Sequence, residues 1–242
     1  VNVTKRTAPA VLAVWALAML SGCELFYPSE TIRYRMTVTV DTPDGPRTGS
    51  SVVESTIKAG TRFGDASGIQ FRLRGEAVAV PLPNGRVLFA LLRPEESGDA
   101  AFYHARLMER AACGEGQPTV QPNPALCGSA QWTTFRPWAR EQELSAEIGA
   151  SIYPMLVTFR DLADPTSVAR VDPVNLAASF GVGYRLKRIT VQMTGENMTT
   201  GIEKRLGWLG QHPEPSLNPD HGQRDFSLPA TLHHGDFRQG EY

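Results

Sequence analysis

Cysteine is scarce: three residues in a chain of 242. That number excludes a disulfide-built miniprotein and a four-cysteine zinc site. Excess charge is also missing, with 24 Lys and Arg against 25 Asp and Glu and a net charge of −1. The balance leaves no basic footprint for nucleic acid and no acidic run for a solvating tail. Lysine is rare beside arginine, a bias that serves carboxylate or phosphate binding no better than it reflects genomic composition. There is no internal repeat, and no G-x-S-x-G, H-E-x-x-H or P-loop sequence, so no cofactor is expected. What the chain does hold is 41% hydrophobic residues, enough for a core, together with 22 Gly and 18 Pro. That much Gly and Pro favours a turn-rich, strand-containing fold over a helix bundle.

The first 23 residues are the most informative. Lys5 and Arg6 precede an unbroken apolar run from Val11 to Leu20. Ten helical residues rise about 15 Å, half the thickness of a hydrocarbon core, so the run suits a signal-peptide h-region better than a membrane span. Leu20-Ser21-Gly22-Cys23 follows directly. This order, an aliphatic residue, two small residues and a cysteine, resembles the lipobox of bacterial lipoproteins. The resemblance covers about a tenth of the chain. It implies that residues 1–22 are removed, that Cys23 receives a diacylglyceryl thioether and that its new amino group is acylated, palmitate being a typical chain. Two or three acyl chains make a durable anchor where one is marginal. Glu24, which is not Asp, implies the outer membrane rather than the inner. Val1 stands where Met is expected, as a non-ATG start codon translated literally would produce.

Cys113 and Cys127 remain. An exported protein meets an oxidising compartment, and an even cysteine pair there reads as a disulfide. Closing this Gly- and Pro-rich loop stabilises the fold by roughly 3 kcal/mol in the chain-entropy model. The spacing is not C-x-x-C, so a redox-active pair is not indicated.

Along the mature chain, residues 24–30 read as a tether. Thr31–Val40 alternates as a half-buried strand, Asp41–Pro46 forms a turn, and Ser50–Ile57 completes a hairpin. Phe71–Arg74 alternates again. Pro83-Asn84-Gly85 joins Ala77–Leu82 to Arg86–Leu92, whose second arm is apolar on both faces and reads as a central strand. A helix is expected over 97–111 with Ser97 as its cap, and 139–148 is helix-compatible. Ile152–Phe159 reads as a strand in which Pro154 marks an edge or a start. Asp172-Pro173 opens a short helix, Tyr184–Met193 is a strand, and Thr200–Glu203 fits a capping box ahead of Leu206 and Leu209. Residues 211–242 read as a Pro-rich surface tail. The sum is one α+β domain over 31–210, mainly antiparallel sheet with two to four helices.

Candidate chemistry is thin. Ser55-Thr56-Ile57-Lys58 matches S-x-x-K, but that pair acts from a helix start and here lies in a strand-like segment. His233, His234 and Asp236 are metal-ligating types within four residues, with His212 and His221 upstream, yet a Pro-rich tail supplies little second shell. Asp161, Asp164 and Asp172 are spaced too irregularly for a cation loop and suit turns and caps. Gly181-Val182-Gly183 precedes a strand, against the dinucleotide pattern. His104 sits inside a helix as a structural histidine. The expectation is a lipid-anchored, periplasm-facing envelope protein, a non-catalytic binding or scaffolding module whose partners are the membrane and an envelope protein. The alternative is a periplasmic hydrolase or metal-binding protein using the C-terminal histidines.

Overall fold

The computed structural model describes residues 27–60, 68–96, 98–210, 216–218 and 224–240. Every strand pair in it is antiparallel. Long strands open the chain: β1 (Ser29–Asp41), β2 (Arg47–Ala59) and β3 (Ile69–Glu76). In β1 the predicted alternation holds, with Ile32, Tyr34, Met36, Val38 and Val40 buried while Arg33, Arg35 and Thr37 stand half-exposed. The β1–β2 turn is closed by Gly45 N–H donating to the Thr42 carbonyl at 3.0 Å. Gly45 takes φ +97°, a region that L side chains rarely enter.

These strands belong to a seven-stranded sheet in the order β11-β3-β2-β1-β10-β7-β6. Its other members are β6 (Gly116–Pro118), β7 (Ser145–Ile148), β10 (Arg185–Met193) and β11 (Arg238–Gln239). A second, four-stranded sheet contains β4 (Val78–Pro81), β5 (Val87–Pro94), β8 (Pro154–Phe159) and β9 (Val168–Arg170), in the order β4-β5-β8-β9. The architecture is therefore sheet-dominated, compatible with α+β, and divided between two sheets rather than gathered into one. At Gly49 of β2 a Cβ would meet the Ala79 carbonyl oxygen of β4 at 2.2 Å, so only glycine admits this approach of one sheet to the other.

The four-stranded sheet lies between two apolar clusters, which explains the absence of a polar face on β5. Leu88, Ala90 and Leu92 join a cluster with Tyr34, Met36 and Val191 of the large sheet, whereas Val87, Phe89 and Leu91 join Phe159, Leu206, Leu217, Leu232 and Phe237. Pro154 is the first residue of β8, where its missing N–H costs the ladder nothing.

Four α-helices occur among the described residues: α1 (Ala100–Ala112), α2 (Trp132–Glu141), α3 (Leu176–Phe180) and α4 (Leu228–Thr231). The first begins at Ala100, capped by Asp99, whose carboxylate accepts from Phe102 N–H at 2.7 Å; Ser97 lies outside the described residues. The helix-compatible stretch 139–148 is only partly helical. Glu141 ends α2, Glu143 turns the chain at φ +47°, and Ser145–Ile148 pairs as β7 with Ala146 and Ile148 inward. The free edge of β10 decides this, since its ladder offers bonds that a continued helix would forgo. Asn175, rather than the Asp172-Pro173 pair, caps α3. Thr200–Glu203 makes no side-chain capping box, and Ile202–Lys204 is one 3-10 turn entered through Gly201 at φ +108°.

One further departure concerns the C-terminal stretch. Residues 216–218 and 224–240, read from sequence as a surface tail, are packed into the body: Leu217, Leu232 and Phe237 are at most 1% exposed. Each fills the outer face of the small sheet, where apolar burial outweighs the local Pro-rich composition. Cys113 and Cys127 are joined as expected, with a Cα separation of 5.8 Å. The far end of that loop is also held to α1 by Gly128 N–H donating to Glu109 at 2.7 Å.

Candidate functional site

The densest group of chemistry-bearing side chains lies inside the fold. Tyr34 comes from β1, His104 from α1 and Arg136 from α2, and each is no more than 1% exposed. The Tyr34 hydroxyl is hydrogen-bonded to Nδ1 of His104. With Nδ1 accepting, the ring proton sits on Nε2, which has no well-aligned hydrogen-bond partner among the described residues. Burial drives the His104 pKa down to about 3, with the Leu92 carbonyl opposing. The imidazole is thus neutral at pH 7 and unsuited to trading protons there. Burial likewise pushes the Tyr34 phenol well above its ordinary range.

Arg136 faces only neutral acceptors. Its Nη1 donates to the carbonyls of Glu30 at 2.9 Å and Ser55 at 2.7 Å, and its Nη2 to the Ser55 hydroxyl at 3.0 Å and the Ala105 carbonyl at 3.1 Å. Burial lowers its pKa to about 10, which leaves it charged at neutral pH. A buried guanidinium without a carboxylate is held by carbonyl dipoles, and it ties β1, β2, α1 and α2 at one point. Sequence reading passed over this residue. Nothing local separates Arg136 from the other arginines, and its partners are remote in the chain.

The S-x-x-K pair separates in the structure. Ser55 is fully buried on the inner face of β2 and Lys58 is exposed on the outer face, as three residues along a strand require. The Ser55 hydroxyl is bound to Arg136, and no lysine activates it.

At the C-terminal end, His233, His234 and Asp236 organise a turn. Asp236 accepts from His233 N–H at 2.8 Å and pairs with Arg93 at 3.7 Å, while the His234 ring packs on Trp208 with centroids 5.4 Å apart. The turn delivers Phe237 into the core. Among the described residues no group of three or more His, Cys, Asp or Glu is placed to hold a metal. His212, His221 and Cys23 lie outside the described residues. Asp161, Asp164 and Asp172 each accept a backbone N–H two residues on, from Ala163, Thr166 and Val174, at 2.9 Å. They act as turn and cap residues.

Glu76, also missed from sequence, does the work assigned to the Thr200 box. Its carboxylate receives Gly201 N–H and Ile202 N–H, both at 3.0 Å, from 125 and 126 residues away. Burial raises its pKa, although those two bonds pull the other way. It borders a shallow hollow of about 500 Å³ that Thr199, Lys204 and Arg205 also line. A second hollow, about 440 Å³, lies on the outer face of the large sheet among Thr37, Thr39, Thr48 and Thr190. A third, about 680 Å³, lies beside β3 near Phe71, Arg72 and Ala101. None of the three is lined by Tyr34, His104 or Arg136.

Tyr34, His104 and Arg136 are thus engaged with neighbours inside the core. Compared with known proteins, the chain matches no family model, no curated protein and no solved structure.

Proposed function

We propose that this is a lipid-anchored protein of the bacterial cell envelope, held on the periplasmic face of a membrane, the outer membrane in preference to the inner, and working as a non-catalytic binding or scaffolding module. One observation carries the reading: Leu20-Ser21-Gly22-Cys23 directly after a ten-residue apolar run and a basic start. The body fits an anchor at that point. Its first strand starts at Ser29, six residues beyond Cys23, a tether of at most about 20 Å when fully extended. The Cys113–Cys127 disulfide suits an oxidising compartment. The buried tyrosines, histidine and arginine are engaged within the core, consistent with a protein that acts by where it is held and what docks on it.

Incorporation of labelled palmitate into the full chain tests this, with Cys23→Ser alongside. The expected result is label in the wild type and none in the variant. An unlabelled wild type that washes off membranes removes the anchor and the location together.

A further inference from the structure

We propose that the end of the body bearing Ser29 sits on the phospholipid surface through Ile69, Phe71 and Phe102, with Lys58 and Arg72 at headgroup level. The proposal rests on the lipid-anchor reading and adds the orientation of the body and the surface that contacts lipid.

The register of the large sheet places these residues. Ser29 of β1 lies opposite Lys58 of β2, and Ile57 and Ala59 of β2 lie opposite Phe71 and Ile69 of β3. The chain therefore leaves its tether at the same sheet end that carries Ile69 and Phe71. The first turn of α1 brings Phe102 there too, edge-on to Phe71 with ring centroids 5.3 Å apart. Phe102 is 52% exposed and Ile69 38%. Phe71 is half-buried, backed by the small cluster of Ile57, Ala105 and Trp132. A pair of phenylalanines in contact, one of them half in solvent, is apolar area that a water-facing end does not need.

Charge points to the same occupant. Lys58 and Arg72 are exposed on the opposite face of this sheet end, and among the described residues neither has an ion-pair partner. Among the described residues, three nearby carboxylates are engaged: Asp99 caps α1, Glu54 pairs with Arg33 and Arg74, and Glu30 pairs with Arg140. Apolar rings on one face of a sheet end and exposed basic side chains on the other suit the boundary between acyl chains and anionic headgroups, because long basic side chains reach phosphate while rings enter the hydrocarbon edge.

Reach decides between a bilayer and another protein. Six residues from Cys23 to Ser29 keep this end within about 20 Å of the anchor, so the tether holds the patch against lipid at high effective concentration. A patch too small to bind membranes alone becomes sufficient. The opposite end shows Val174 and Val182, 85% and 93% exposed. It lies one 13-residue strand away, about 40 Å, beyond the reach of the tether when the body stands upright.

The test uses the full lipidated chain in vesicles of phosphatidylethanolamine and phosphatidylglycerol. A polarity-sensitive fluorophore is placed at Phe102→Cys, and at Val182→Cys in a second sample, with palmitate incorporation followed in both. The expected result is a blue shift at position 102 and none at position 182. In the unsubstituted chain, Lys58 should lose reactivity toward an amine reagent on vesicles relative to Lys187 near the far end, a readout that needs no new cysteine. Palmitate incorporation with equal signals at 102 and 182, and equal reactivity of the two lysines, overturns the seat and leaves the anchor standing. A shift at 102 that depends on protein concentration without vesicles assigns the patch to a second copy and also overturns it. Absence of palmitate removes the anchor, and the seat with it.

Discussion

Arg136 grips Ser55 twice across 81 residues of sequence, with Nη1 at 2.7 Å from its carbonyl oxygen and Nη2 at 3.0 Å from its hydroxyl. The pair joins the middle of α2 to the inner face of β2, and two further bonds, to Glu30 and Ala105, extend it to β1 and α1. Arg136→Met fills similar volume without donors, leaving two buried carbonyls, one part-buried carbonyl and a buried hydroxyl without the guanidinium. Each such group costs about 1–3 kcal/mol before local rearrangement. We expect a loss on the order of 3 kcal/mol, read as a lower urea midpoint with an unchanged slope. Arg136→Lys keeps the charge but not the planar fork, and should fall between the two. A midpoint for Arg136→Met equal to wild type would show that the guanidinium is dispensable to the fold.

His104 makes stability depend on pH. Its pKa in the folded chain is about 3, below the ordinary value of 6.5, because burial disfavours the imidazolium. The unfolded chain therefore binds the extra proton first. Stability from this residue is complete above pH 6.5 and is lost progressively as pH falls toward 3, with a limiting slope of about 1.4 kcal/mol per pH unit. His104→Gln cannot titrate, so its stability curve should be flatter than wild type over that window, whatever its absolute stability. Glu76, whose folded pKa is raised, contributes in the opposite sense near pH 4.5 and is common to both proteins. Parallel curves for wild type and His104→Gln would refute a neutral buried imidazole.

The same residues show what sequence reading can reach. Strand β1 was legible because its alternation is local and one face is buried along its length, and the β4–β5 hairpin because Asn84-Gly85 is a local turn signal. The two-faced apolar run of β5 announced a central strand, though not that each face serves a different core. Helix α2 was concealed by Pro137 in its interior and by Thr133 and Thr134 near its start, residues that lower helix propensity and are tolerated because Phe135 and Ala139 bury against the core. Ser145–Ile148 carries no strong strand signal of its own and is a strand because β10 has an edge to offer. In the C-terminal stretch, Leu217, Leu232 and Phe237 are isolated apolar residues among prolines and polar groups. Their burial depends on a sheet completed more than forty residues earlier. Of the proposed site, Cys23 is legible because a sequence-read signal has to be local. The Ile69–Phe71–Phe102 patch is not, because only the β2–β3 register and the packing of α1 bring its members together.

Glu76 gives the sharpest test of long-range capping. Its two carboxylate oxygens accept Gly201 N–H and Ile202 N–H at 3.0 Å each, and so complete a 3-10 turn whose own residues supply no cap. That turn places Ile202 and Leu206 in the second core cluster. Glu76→Gln keeps the shape and one accepting oxygen but turns an NH₂ group toward the other N–H. One buried donor is left unsatisfied, at a cost of about 1–3 kcal/mol. Two effects should appear together: a drop of that size in global stability, and faster hydrogen exchange at the amides of Gly201 and Ile202 than at β1. Glu76→Gln also removes the acid titration of Glu76, whose folded pKa lies above its ordinary value, so the gap between variant and wild type should change as pH falls toward 4.5 and level off below it, where the carboxyl is protonated in both folded and unfolded wild type. Unaltered exchange at Gly201 and Ile202 in the variant would mean that the turn is held by the burial of Ile202 alone.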